Sequence, residues 1–332
     1  MNDQQEPDLI EESNDAYNAH DAHDETQYET PEGHRSGFVA LVGRPNVGKS
    51  TLMNAFMRQK IAAVTHRPQT TRTRQLGIIT EPDYQMIFID TPGIIRDPRH
   101  PLDEYMVQAA LETLDDADVV LWLVDMTENP GAADRDIAAL LTEGERHVIL
   151  ALNKIDAVGP AEALHRTEAY VSLLRSAEWL HLSALTGLGV GELLDKLAAA
   201  LPEGPRYYPA DQITDIYERN IAAELIREQI MLQLRDEVPY GTAVKVRDFK
   251  ERDNGSTYVS ADIFVERDTH KSILIGKSGA QLKAIGAAAR EQIEQLTGGK
   301  VFLELWVKVE KDWRRDPNLL RQFGYSDEWK KE

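Results

Sequence analysis

Four short segments of this 332-residue chain carry residue types whose order could bind and cleave a nucleoside triphosphate. Residues 43–50 read GRPNVGKS and fit G-x-x-x-x-G-K-[ST]. Gly43, Arg44, Pro45, Asn46, Val47 and Gly48 would form a loop whose N–H groups turn inward around phosphate, with a helix N-terminus adding positive potential. Lys49 would reach the β- and γ-phosphates, and Ser50 would ligate Mg²⁺. Residues 90–93 read DTPG. Asp90 in such a place holds Mg²⁺, usually through water. Thr91 and Pro92 shape the turn. Gly93 can offer its N–H to the γ-phosphate and release it when that phosphate leaves. Ile94, next in line, is expected to touch the nucleotide but cannot orient water by hydrogen bonding.

The other two segments would choose the base. Residues 153–156 read NKID. The Asp156 carboxylate can accept two hydrogen bonds from the N1–H and exocyclic amine of guanine, a donor pair that adenine lacks. The stem of Lys154 can lie along the base, with Asn153 and Ile155 completing the tetrapeptide. Ser183, Ala184 and Leu185 follow another apolar run, and the Ala184 N–H is expected near the guanine oxygen. Each tetrapeptide alone also has a reading as a loop cap. In this order, each after an apolar run, they point to guanine nucleotides.

A fifth segment suits a different polyanion. GKSG, from Gly276 through Lys277 and Ser278 to Gly279, lies between two helical patterns with Lys271 and Lys283 nearby. Glycines there would let two backbones approach, and the lysines would supply charge.

The elements that must position these segments follow from periodicity. Apolar runs of strand length occupy 38–42, 86–89, 119–124, 148–152 and 179–182, alternating with helical patterns such as 105–114, 161–175 and 191–201. Continuous apolar strands between helices imply a mostly parallel sheet with helices on both faces. Trp122 and Trp179 fall in these runs and are expected in the core. Pro202, Pro205 and Pro209 then make a stiff linker over 202–212. Beyond it the order is helix (213–234), strand (242–252), strand (256–266), two helices around GKSG and strand (300–310), a small α+β domain. The turn at 253–255, DNG, is a hairpin signal.

Composition narrows the class. There are no cysteines, which removes disulfide scaffolds, thiolate zinc sites and thiol catalysis. No apolar run approaches the roughly 18 residues that span a bilayer, and the acidic start is no secretory signal. A cytoplasmic protein is expected. The net charge of −19 is uneven. Residues 1–35 hold eleven Asp or Glu against one Arg, and residues 36–234 are again at −10. Residues 235–332 carry 18 basic and 17 acidic residues, the one part that would not repel a polyanion. The acidic, apolar-poor start, 1–36, is expected to be a disordered tail, with His20, His23 and His34 solvated.

These motifs carry a resemblance. Residues 37–201 resemble the translation-factor-related class of GTPases, and 37–328 resemble the Era family of bacterial ribosome-assembly GTPases. The stretch 67–78, RPQTTRTRQLGI, is similar to the Era effector loop, where a threonine closes over Mg²⁺. Thr71 is the candidate, with Thr70 second. The order over 213–332, with its GxxG loop and an ending similar to the Era C-terminus, resembles a type II KH domain. The resemblance implies an α/β P-loop GTPase domain followed by an RNA-binding KH domain. It implies Lys49, Thr71 and Gly93 as the catalytic set, and Ser50, Thr71 and Asp90 around Mg²⁺. Lys271, Lys277, Lys283 and the GKSG loop would hold single-stranded 16S ribosomal RNA of the 30S subunit. Asn46 is similar to the asparagine that coordinates K⁺ in related GTPases. Slow hydrolysis of GTP to GDP by a monomer is expected, and peripheral membrane association is implied by the family alone. Two other readings are a GTPase acting on transfer RNA or another process with KH as a docking module, and a non-enzymatic RNA binder that retains nucleotide.

Overall fold

In the computed structural model the described residues are 30–65, 67, 70–73, 75–92, 100–143, 146–175, 177–214, 218–252 and 254–325. The first part of the chain runs β1 (Arg35–Val42), α1 (Lys49–Met57), β2 (Gln75–Thr80), β3 (Tyr84–Asp90), α2 (Pro101–Asp116), β4 (Val119–Asp125), α3 (Ala132–Thr142), β5 (His147–Asn153), α4 (Pro160–Val171), β6 (Glu178–His181) and α5 (Val190–Ala200). The sheet order is β2-β3-β1-β4-β5-β6, parallel except for β2, which runs antiparallel to β3.

The apolar runs are continuous because both faces of the central strands are covered. Val39, Leu41, Leu121 and Leu123 point to the side of Leu52 and Met53 of α1 and Leu193 and Leu197 of α5. Their alternates Ala40, Val42, Trp122 and Val124 pack with Ile137 and Leu141 of α3 and Tyr170 of α4. The period of two sorts side chains between the two faces, and the shared direction of the parallel strands brings the loops at their carboxyl ends to one edge of the sheet.

Three expectations change. His34 is buried, not solvated: its Nδ1 donates to the Gly204 carbonyl at 2.9 Å, and its own carbonyl accepts from Gly204 N. The sheet therefore begins at Arg35, inside the stretch read as a disordered tail; residues 1–29, with His20 and His23, lie outside the described residues. Trp179 is 43% exposed, because β6 is an edge strand of the sheet. Strand β2 has no counterpart among the expected elements. Its first four residues, 75–78, fall within the stretch read as the effector loop.

The proline stretch is strapped to the sheet. Gln85, fully buried, accepts from Tyr207 N (2.8 Å) and Tyr208 N (3.0 Å) and donates to the Tyr208 carbonyl (2.8 Å). Further on, Ile78 N donates to the Ile213 carbonyl, and Thr214 Oγ1 donates to the Leu76 carbonyl. Gln85→Leu removes one acceptor and one donor from partly buried partners and is expected to cost about 1–3 kcal/mol. A thermal or urea transition equal to that of the unchanged chain would refute this role.

The second part runs α6 (Glu218–Gln233), β7 (Thr242–Glu251), β8 (Thr257–Val265), α7 (Asp268–Ile275), α8 (Ala280–Thr297), β9 (Val301–Val309) and α9 (Pro317–Gln322). The α-β-β-α-α-β order is the expected one. β7 and β8 form an antiparallel hairpin, and β9 joins β8 in parallel. Val259, Ala261 and Ile263 of β8 share one cluster with Leu225 of α6 and Ile285, Ala289 and Ile293 of α8. That cluster is continuous with the core beneath α1, so the two parts share apolar contacts. A second junction joins Leu102 and Met106 of α2 to Phe264, Trp313, Leu320 and Tyr325.

Candidate nucleotide pocket and nucleic-acid loop

The loops at the carboxyl ends of β1, β4 and β5, with the loop after β6, converge on one cavity of about 610 Å³. Pro45, Asn46, Gly48, Lys49, Ser50, Thr71, Asn153, Lys154, Asp156, Ser183, Ala184 and Leu185 line it. Parallel strands and short loops bring together residues that lie up to 140 positions apart in the chain. Gly43, Arg44, Val47, Asp90, Thr91, Pro92 and Ile155 stand behind this lining. Gly93 and Ile94 lie outside the described residues.

Asn153 is the brace between phosphate loop and base loop. It is buried, its Nδ2 donates to the Val47 carbonyl at 2.7 Å, and its Oδ1 accepts from Ala184 N at 2.9 Å. The Ala184 N–H, expected at the guanine oxygen, is therefore directed to Asn153 here. Gly48 shows why a glycine stands against this brace. Its φ is +107°, and a Cβ would lie 2.3 Å from Asn153 Nδ2. Lys154 has a positive φ of 64° and donates from Nζ to Asp125 Oδ2 (2.6 Å) and to the Asn46 carbonyl (2.8 Å). Asp156 sits on the next turn, exposed at the cavity rim.

At the phosphate end, Lys49 Nζ donates to the carbonyls of Gly43 (2.9 Å) and Arg44 (3.1 Å). Burial pushes its ammonium down to about 8, opposed by the Asp90 carboxylate. The Arg44 side chain turns away, to Glu128 (2.8 Å) and the buried Asp134 (3.2 Å), so only its backbone serves the loop. Thr91 also turns away, donating from Oγ1 to the Leu41 carbonyl at 2.9 Å. Val47 and Pro92 are buried, and Ile155 packs under the base loop with its N–H on the Leu182 carbonyl.

The three residues read as holding Mg²⁺ meet. Ser50 Oγ donates to Asp90 Oδ2 at 2.8 Å and lies 3.0 Å from Thr71 Oγ1, which reaches Asp90 Oδ2 at 3.4 Å. Thr70 does not join them, since its hydroxyl pairs with Thr65 Oγ1 and the Arg67 carbonyl. Asp90 is fully buried, and its Oδ1 has no hydrogen-bond partner. Burial raises its carboxyl above the ordinary range, against the pull of Lys49, Ser50 and Thr71. An orphaned buried carboxylate oxygen beside two hydroxyls is the hard oxygen set that suits Mg²⁺. Among the described residues no group of three His, Asp or Glu side chains could hold a metal ion.

Three contributors escaped the reading of the sequence. Asp125 ends β4, and although burial opposes its charge, Lys154 and Thr127 hold it below the ordinary carboxylate range. An aspartate closing a buried strand beside the other loops was the available signal. Arg72 in the effector loop and Glu228, which holds Val64 just before that loop, join the first part of the chain to the second, and no local pattern announces a contact across about 160 residues.

The GKSG loop joins α7 to α8 by a 3₁₀ turn, Lys277–Gly279. Gly276 has φ +72°, and a Cβ there would lie 2.6 Å from Gln281 Cβ. The loop closes tightly only with glycine at this position. Lys277, Ser278 and Lys283 are exposed, and Lys271 is half-buried on α7. The turn thus offers cations and main chain to solvent at the head of α8.

Comparisons with known proteins match this layout. A family model described as "50S ribosome-binding GTPase" matches residues 38–154, and one described as "KH domain" matches 237–314. The chain is 49% identical to GTPase Era of Lactobacillus delbrueckii subsp. bulgaricus over 88% of its length and 96% of that protein. It is 48% identical to GTPase Era of Geobacter metallireducens over 88% of its length and 98% of that protein. Among solved structures it is similar to a tyrosine-to-alanine variant of Aquifex aeolicus Era bound to GDP and AlF4⁻. It is similar as well to Era in complex with MgGDPNP and nucleotides 1506–1542 of 16S ribosomal RNA. Each has a TM-score of 0.84 and 40% identity, covering 88% of this chain and 99% of the other.

Proposed function

Because this chain belongs to the Era family of GTPases, we propose that it is a GTP-hydrolysing switch that binds 16S ribosomal RNA through its KH domain during assembly of the 30S subunit. The observation that supports it best is the convergence of the phosphate loop, Thr71 and the NKID and SAL loops on one cavity, with Asp90 held behind Ser50. The solved complex of a similar protein with 16S nucleotides supports the RNA partner.

Water is the nucleophile in this reading, and no covalent intermediate forms. The loop N–H groups and Lys49 face the phosphates, where they stabilise charge that grows in the transition state. Ser50, Thr71 and Asp90 would hold Mg²⁺, which would supply positive charge against the phosphates. Asp156 selects guanine, and Asn153 keeps base loop and phosphate loop at fixed separation. Intrinsic turnover is slow, since the position after the DTPG glycine is Ile94 rather than a water-orienting side chain.

Two experiments test the reading. Single-turnover hydrolysis of GTP should yield GDP and phosphate with Mg²⁺ present; a chain that binds GTP and leaves it intact would be the non-enzymatic binder. Ultraviolet crosslinking followed by sequencing of bound RNA should recover the 3′ region of 16S RNA. Recovery of transfer RNA, or of none, would instead favour the docking-module reading.

The similarity of Asn46 to potassium-coordinating asparagines supports a further expectation. Asn46 sits at φ +67° in the loop, its carbonyl held by Lys154. K⁺ is expected to stimulate hydrolysis moderately where Na⁺ does not. Equal rates in the two chlorides at matched ionic strength would remove the ion from the mechanism.

A further inference from the structure

The loop that carries Thr71 is held at both ends by the KH part of the chain. At its start, Lys60 Nζ donates to Glu228 Oε1 at 2.6 Å and Val64 N donates to Glu228 Oε2 at 3.0 Å. Glu228 lies on α6 and is 3% exposed. At its end stands Arg72, fully buried although its neighbour Thr71 faces the nucleotide cavity. Arg72 Nη1 donates to the Thr242 carbonyl and Nη2 to the Tyr240 carbonyl, each at 2.8 Å. Its guanidinium carbon is 5.8 Å from the Trp313 ring centroid and 6.0 Å from that of Tyr325. The socket is itself braced: Trp313 Nε1 donates to the Gly241 carbonyl at 3.0 Å, and the two rings stack 5.9 Å apart.

A guanidinium taken wholly out of water and met by carbonyls and ring faces is costly, and a neutral side chain would fill the same space at lower cost. The arrangement yields placement. The planar fork satisfies two carbonyls at once, so the side chain has one seating. Thr71 is a single peptide unit away, about 3.8 Å between Cα atoms, so seating Arg72 limits where the Thr71 hydroxyl can stand. That hydroxyl is the member of the Ser50–Thr71–Asp90 group contributed by neither the phosphate loop nor the sheet.

We propose that Arg72 is a positioning residue for GTP hydrolysis, seated in a socket built by the KH domain and the C-terminal aromatic cluster, so that the second domain places Thr71 in the first domain's site. This rests on the reading of the cavity as a GTPase site. It makes the GTP-bound arrangement, in which Thr71 takes part, depend on a contact that GDP binding does not need.

The test uses the full-length chain and fluorescent GDP and a non-hydrolysable GTP analogue, each with Mg²⁺, alongside steady-state hydrolysis. Arg72→Ala should leave GDP affinity within about twofold of the unchanged chain and lower analogue affinity. It should reduce kcat at least about tenfold, the scale set by a small misplacement of a catalytic group. The Mg²⁺ concentration giving half-maximal rate should rise. Arg72→Lys keeps the charge without the fork and should recover only part of the loss. A folded Arg72→Ala protein with unchanged kcat and unchanged analogue-to-GDP ratio overturns the proposal, as does equal weakening of both nucleotides. If Arg72→Ala does not fold, Tyr325→Leu, which removes one ring from the socket, gives the same readout, and an unchanged ratio there overturns it. Failure of the unchanged chain to hydrolyse GTP would instead overturn the GTPase reading, which keeps the two outcomes apart.

Discussion

Lys277→Asp combined with Ser278→Asp is expected to weaken binding of single-stranded 16S RNA by at least about a hundredfold at low salt. Two carboxylates would stand where a phosphate backbone approaches the Gly276–Gly279 turn, and one cation would be gone. Each lost cation–phosphate contact should also flatten the plot of log affinity against log salt by about 0.7 for a single strand. The fold should survive. Both side chains are exposed, Ser278 already has φ +52°, which aspartate adopts more readily than most residues, and the positions precede the N-terminus of α8, where negative charge is favourable. None of the contacts of Arg72 or Glu228 involves this turn. Any stimulation of hydrolysis by RNA should vanish while the thermal transition stays in place. A double variant that is folded and still binds the RNA tightly would show that GKSG is only a turn between helices.

Asp156→Asn is expected to weaken GTP by roughly one to two orders of magnitude, from the loss of charge-assisted bonds worth about 1.5–3 kcal/mol. The same change should favour xanthosine triphosphate, because an amide presents a donor where the carboxylate presented an acceptor and xanthine carries an oxygen in place of guanine's amine. In the structure the carboxylate stands exposed at the rim, anchored through Lys154 and Ile155 rather than by partners of its own, so a base settling there would desolvate it. Equilibrium binding of fluorescent GTP and of its xanthine analogue measures both effects. Unchanged GTP affinity would mean that the base is read elsewhere, with Ser183 to Leu185 the remaining wall.

The two tests address different domains of the chain, Asp156 in the first and the Gly276–Gly279 turn in the second. Apolar packing of Leu102 and Met106 with Trp313, Leu320 and Tyr325 brings α2 to the same cluster that seats Arg72. The effector loop and α2 therefore both touch the end of the KH part.

Much of this was legible in the amino-acid order, because its causes are local. A phosphate loop needs glycines, a lysine and a hydroxyl within eight residues, and GRPNVGKS states them consecutively. Buried parallel strands need continuous apolar runs, so the runs at 119–124 and 148–152 declared both the sheet and the sites at its carboxyl ends. The KH order followed from period-two and period-3.6 patterns around a GxxG turn. What the sequence could not declare are contacts whose partners lie far away in the chain. Trp179 has the composition of a core residue, and only its place on an edge strand leaves it exposed. His34 looks like part of a solvated tail until Gly204 is brought against it. Thr71 and Thr70 are chemically alike, and the path of the backbone across the cavity turns one hydroxyl toward Ser50 and Asp90 and the other toward Thr65. Arg72 reads as one more surface cation in RPQTTRTR, yet folding encloses it among Tyr240, Thr242, Trp313 and Tyr325. Chemistry set by neighbours along the chain was written in the residues themselves; chemistry set by neighbours in space arose when the sheet, strap and second domain closed around it.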